Sequence, residues 1–94
     1  VFVLSIPDWG ATPFANSLQR DEITKQINEF NNIIKYEADQ RNIKFYNITD
    51  ISRNALNDLS LIANDNLHPS GKMYAQWVSL IEKDILSINF SPFK

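Results

Sequence analysis

Residues 21–48 read DEITKQINEFNNIIKYEADQRNIKFYNI. The hydrophobic period changes inside this stretch, and the change decides the fold. Ile23, Ile27, Phe30, Ile34, Ala38 and Arg41 recur at steps of three or four. That spacing sets them along one stripe of an amphipathic helix over Asp21–Asn42. Asp21 and Glu22 stand at its start, where the helix dipole favours anions. Asn42 is a suitable C-terminal stop. The stripe covers too few heptads for a coiled coil and reads as core packing. Ile43–Ile48 (IKFYNI) is short and rich in β-branched and aromatic residues, which predicts a strand.

Upstream, Val1–Ile6 is almost continuously apolar, as expected of a strand covered on both faces, and Pro7 ends it. Strand, helix, strand in this order predicts a right-handed βαβ unit with parallel strands and an α/β class. Residues 7–19, PDWGATPFANSLQ, predict a loop, because Pro7, Asp8, Gly10, Pro13 and Asn16 are turn formers. Residues 49–66 lack strong periodicity, with a short helical turn expected within ALNDLSLIA (55–63). A second helix is predicted from Pro69 to about Ser87, its buried stripe made by Met73 or Tyr74 with Trp77, Ile81 and Ile85. INFSPFK (88–94) predicts a short extended tail. No repeat or low-complexity tract interrupts the chain, so 1–94 reads as a single unit.

The totals narrow the function. Ninety-four residues suffice for one small domain. Hydrophobic content of 44% and charged content of 21% are ordinary for a globular chain. Net charge is −2, and the nine basic residues are scattered with no two adjacent. Nothing there neutralises a row of phosphates, which argues against nucleic acid as a partner. The absence of cysteine excludes disulfides and thiolate chemistry and leaves the compartment open. No apolar run approaches the ~20 residues of a membrane span, and no basic segment precedes an apolar one as in a signal peptide. The chain opens on an apolar strand without methionine, and two parallel strands leave an edge unpaired. Both features lead us to expect the later part of a longer chain. Its missing half, or a second copy, would pair with the open edge.

The chemistry concentrates in NDNLHPSGKMYAQW (64–77), which holds the one histidine. Pro69 keeps His68 extended and itself suits a first helical turn. His68 therefore sits on a loop before a helix, at the sheet rim where α/β proteins bind ligands. Asp65 is near enough in sequence to accept from the imidazole Nδ1–H. That bond fixes the tautomer and leaves Nε2 to take a proton from a nucleophile. The same spacing also suits a capping or surface histidine, with Asp65 and Asn66 as turn formers. Two metal ligands are a further reading, but the chain has no second histidine and no cysteine to complete such a site. Trp9, Thr12 and Phe14 should border the same rim. They line a ligand pocket, or they cover the edge of the core. Asp8 is expected to cap or bridge locally. Asn47-Ile48-Thr49 and Asn89-Phe90-Ser91 match the glycosylation pattern, which eleven asparagines produce by chance.

Asp65-x-x-His68-Pro69 before an amphipathic helix resembles the last sequence block of the SGNH (GDSL-type) hydrolases. These are esterases and lipases, lysophospholipases among them, with a flavodoxin-like α/β fold. HPSGKMYAQW continues the likeness, with Gly71, Tyr74 and Trp77 opening the helix. VFVLSIPDWGATPF resembles a late central strand of that fold and the loop bordering its active site. The order of elements is similar to the C-terminal half, so the resemblance covers nearly the whole chain, with DxxHP as its one sharp motif. The family's Gly-Asp-Ser block is absent here. Its glycine-bearing asparagine block is absent too, since Asn57-Asp58 follows Ala55-Leu56. Only two positions carry over: Asp65 as the orienting aspartate and His68 as the general base of the catalytic triad. Ser70 is expected to cap the final helix, and Ser60 has no nucleophile-elbow context. The resemblance implies the C-terminal half of a three-layer, parallel-stranded fold. It implies a serine ester hydrolase acting on lipid-like, lysophospholipid or carbohydrate acyl esters, without metal or organic cofactor. The serine would come from outside these residues, so the 94-residue chain alone would be inactive. The alternative is a non-enzymatic α/β module that binds through its open strand edge.

Overall fold

Two short strands run side by side and parallel: β1 (Phe2–Leu4) and β2 (Lys44–Tyr46), with Phe2 opposite Lys44 and Leu4 opposite Tyr46. The computed structural model describes residues 1–89. Both strands are shorter than the apolar runs that predict them, because backbone donors pass to side chains at their ends. Ser5 N still reaches Tyr46 O at 2.9 Å. Ile6 N then turns to Asn31 Oδ1 at 2.8 Å, and Ile48 N and Thr49 N donate to Ser5 Oγ at 2.8 and 3.0 Å. Each donor is satisfied, as buried backbone requires. The expectation that Val1–Ile6 is covered on both faces needs correction. Val1 is exposed and Phe2 is 43% exposed, and among the described residues β1 has β2 as its one hydrogen-bonded neighbour.

The connecting helix, α1, spans Ser17–Gln40 and begins four residues before the predicted Asp21. Asn16 caps it. Asn16 Oδ1 accepts from Gln19 N at 3.0 Å, and Gln19 Oε1 accepts from Asn16 N at 3.4 Å, a reciprocal capping box. Asn42 ends the helix at φ 56°, the left-handed conformation that asparagine tolerates. Ile23, Ile27 and Ala38 are buried as predicted, but Phe30 is 57% exposed and Arg41 is exposed. Asn31 takes the inward position instead. It accepts from Ile6 N and donates to Thr49 Oγ1 at 2.8 Å.

The second half builds three short pieces and one long helix. α2 (Thr49–Arg53) runs into a 3₁₀ turn at Asn54–Leu56, and another follows at Leu59–Leu61. These are the helical turns expected near 55–63. α3 covers Gly71–Asn89. It starts two residues past Pro69 because Ser70 caps it: Ser70 Oγ accepts from Met73 N at 3.3 Å and Ser70 O from Tyr74 N at 3.1 Å. Met73 and Trp77 are buried, whereas Tyr74 is 48% exposed, so Met73 is the inward member of the pair. Ile88 and Asn89 continue the helix instead of opening an extended tail. The remainder of that tail, with Phe90 and Ser91, lies outside the described residues.

The described residues thus form a mixed α/β unit with a two-stranded parallel sheet and three α-helices. Tyr46 Oη reaches across from β2 to donate to Asp84 of α3 at 2.6 Å. One core gathers Ile48, Ala55, Leu61, Met73 and Trp77, with Leu4, Ile51 and Ile62 packed on it. A smaller one joins Ala15, Ile23 and Ile27 with Ile6. No helix among the described residues is long and apolar enough to cross a membrane.

Candidate active site

The segment between Leu61 and α3 is a tight hairpin-like loop. Its stem is closed by an antiparallel bridge between Ile62 and Pro69. Ala63 N bonds His68 O, and Ser70 N bonds Leu61 O, both at 2.8 Å. At the tip Asn66 adopts φ 65°. Its carbonyl accepts from Phe14 N at 3.0 Å, which ties the histidine loop to the loop after β1.

Inside this tip Asp65 organises everything. Its Oδ1 accepts from the backbone N–H of Leu67 and of His68, each at 2.9 Å. Its Oδ2 bonds His68 Nδ1. The backbone amide of His68, then that of Leu67, then the imidazole hold the Asp65 carboxyl down at about 2. The pair is open to water, with side-chain exposures of 49% for Asp65 and 69% for His68. Nδ1 is committed to Asp65, so Nε2 is the ring nitrogen left uncommitted. This is the orientation in which an imidazole accepts a proton from a neighbouring hydroxyl.

His68 stands on the wall of a cleft of about 470 Å³. Trp9, Thr12 and Phe14 line the same cleft, so the two loops singled out in the sequence meet there. The Trp9 and Phe14 rings pack edge to face at 6.2 Å. Trp9 is 39% and Phe14 63% exposed, which places both at the cleft and not in the core. Thr12 is buried, and its hydroxyl donates to Trp9 O at 2.6 Å. Sequence reasoning missed the rest of the lining: Ile6, Pro7, Asp8, Ser52, Ile62, Leu67, Pro69 and Met73. Leu67 carried the one available signal, an apolar residue set between Asn66 and His68 in an otherwise polar turn.

Asp8 does more than cap. It is buried, its Oδ1 accepts from Gly10 N at 2.8 Å, and its Oδ2 accepts from Thr24 Oγ1 at 2.7 Å and Arg53 Nε at 2.9 Å. Arg53 is anchored further by Asn28 Oδ1 at 2.6 Å. Only glycine fits at position 10, because a Cβ there would lie 2.8 Å from Asp8 Oδ1. This node fixes the turn Trp9–Ala11 and thereby the Trp9 side of the cleft.

No serine hydroxyl among the described residues bonds His68. Ser5 Oγ and Ser52 Oγ serve the backbone at the strand ends and in α2. Ser60 Oγ donates to Asp58 Oδ1 at 2.5 Å and accepts from Lys72 Nζ at 2.8 Å; Ser60 and then Lys72 lower the Asp58 carboxyl. Ser70 Oγ donates to Ser60 O at 2.7 Å while capping α3. Comparison with family models, with curated proteins and with solved structures finds no match for this chain.

Proposed function

We propose that this chain supplies the histidine and aspartate of a Ser-His-Asp ester hydrolase of SGNH type, within a flavodoxin-like layered fold. One observation carries the reading: Asp65 is bonded through Oδ2 to His68 Nδ1 while two backbone amides hold its other oxygen, beside an apolar cleft. The nucleophilic serine comes from residues outside these 94. It attacks the ester carbonyl as His68 Nε2 takes its proton. His68 then returns that proton to the leaving alcohol, and water completes the cycle by the same route. Asp65 keeps the ring in the Nδ1–H tautomer and stabilises the imidazolium as it forms.

The test is ester hydrolysis by the polypeptide made from the native gene. We expect His68→Ala to lower kcat by about 10⁴-fold or more with an unchanged circular dichroism spectrum. Equal activity in the variant would remove His68 from the chemistry.

A second reading is favoured by the edge of β1 that has no strand partner among the described residues, beside the exposed Val1 and Phe2. There the chain is a binding module that adds a strand from a partner or from a second copy. Sedimentation of a stable monomer at micromolar concentration, with no ester hydrolysis lost in His68→Ala, would separate the outcomes: the first result counts against this reading, the second against the hydrolase.

A further inference from the structure

The cleft beside His68 is apolar for a reason that goes beyond its residue list. Three polar residues, Asp8, Thr12 and Ser52, contribute to its wall, and each is spent on the protein itself. Both Asp8 oxygens are occupied by Gly10, Thr24 and Arg53. The Thr12 hydroxyl donates to Trp9 O. Ser52 Oγ donates to Thr49 O at 2.5 Å and accepts from Asp8 N at 2.8 Å. The remaining wall is Ile6, Pro7, Trp9, Phe14, Ile62 and Leu67, with Pro69 and Met73. A sugar brings several hydroxyls, each needing a partner when it leaves water, and a buried hydroxyl without one is costly. Thr12 and Ser52 have no hydroxyl proton left to offer, which leaves the Trp9 indole N–H as the one side-chain donor of this wall against the several hydroxyls of a sugar. An alkyl chain asks for none, and the volume is that of a small-ligand site. His68 lines the same cleft with Nδ1 bonded to Asp65, so an ester group attached to such a chain would meet its ring.

We infer that the cleft takes the linear apolar chain of an acyl ester, with the ester group at His68, and rejects carbohydrate at that position. The hydrolytic part of this inference rests on the proposed function; the binding part does not. The order of preference follows from burial. Each methylene moved from water into the cleft strengthens binding about three- to fourfold, until the chain outgrows the wall.

The experiment titrates the full chain with 1-butanol, 1-hexanol, 1-octanol and 1-decanol, and with methyl glucoside, following tryptophan fluorescence. Trp9 reports from the cleft wall, whereas Trp77 is buried in the core, so Trp9→Phe should abolish the change. We expect affinity to rise stepwise along the alcohols and no response to the glucoside. Phe14→Ala, at an exposed wall position that does not support the core, should weaken octanol binding about tenfold. Leu67→Asp should abolish it. Flat affinity along the series, or glucoside binding that competes with octanol, overturns the inference. Stepwise alcohol binding together with hydrolysis indifferent to His68→Ala supports the chain-binding cleft and removes the hydrolase reading. Loss of hydrolysis in His68→Ala with equal rates on acetyl and octanoyl esters does the reverse.

Discussion

Two carboxylates line or border one cleft, and they are built in opposite ways. Asp8 is almost wholly buried, at 2% side-chain exposure, and its partner Arg53 is itself tied to Asn28 and Asp50. Asp65 is half exposed, and its partner His68 keeps one ring nitrogen uncommitted. Both accept three hydrogen bonds from nearby groups. The difference lies in what the partner has left over. Arg53 ends in internal bonds, so the Asp8 node holds the turn Trp9–Ala11 to α1 and α2 and does nothing further. His68 lines the cleft with Nε2 uncommitted, so under the proposed function it is the Asp65 pair that carries the proton. Burial and charge alone would have ranked Asp8 as the more interesting acid.

This contrast is broken most forcefully by swapping the acids' roles under mutation. In the polypeptide from the native gene, Asp65→Asn should lower kcat by about 10⁴-fold, because an amide no longer fixes the Nδ1–H tautomer or stabilises the imidazolium. Its melting temperature should barely move, since the pair is exposed and exposed pairs contribute little. Asp8→Ala should show the opposite signature: a loss of about 2–3 kcal/mol in chemical denaturation, because Arg53 Nε and the Gly10 amide lose their buried acceptor. If Asp8→Ala proved stable and inactive, Asp8 would belong to the chemistry and the division drawn here would fail. Next in size comes Gly10→Ala. The added methyl meets Asp8 Oδ1 at 2.8 Å and Ile23 Cγ2 at 3.1 Å, and such overpacking costs about 1–3 kcal/mol. A melting temperature equal to that of the parent would show the node to be looser than its hydrogen bonds suggest.

The same contrast explains what was legible in the sequence. Asp65 and His68 are three residues apart, so local geometry can join them and the pattern can be read. Asp8 and Arg53 are separated by 45 positions, and no local rule connects them. The βαβ order was legible because the helix and strand periods differ sharply between residues 23–38 and 43–48. The helix start was not, because Asn16 reads equally as a loop residue until its exchange with Gln19 is seen. Phe30 misled for a related reason. Steps of three and four from Ile27 reach residues 30 and 31 alike, and hydrophobicity favours Phe30. The fold instead places Asn31 inward, where the amide of Ile6 and the hydroxyl of Thr49 need partners at the ends of the strands. Residues 49–61 gave no period because their helical pieces are three to five residues long.

The smallest effect probes Asp65 alone. Its carboxyl lies at about 2 in the fold, against roughly 3.9 for a free aspartate. The folded value is depressed, so the carboxylate's contribution is present above the unfolded value and is lost as pH falls through the folded one. The amides of Leu67 and His68 are the reporters, since both donate to Asp65 Oδ1. In an NMR titration from pH 6 to 1.5 their shifts should stay level through pH 4 and change with a midpoint near 2. A midpoint near 4 at Leu67 and His68 would mean that the loop leaves Asp65 as water would. His68 would then lack the fixed partner that distinguishes it from any other surface histidine.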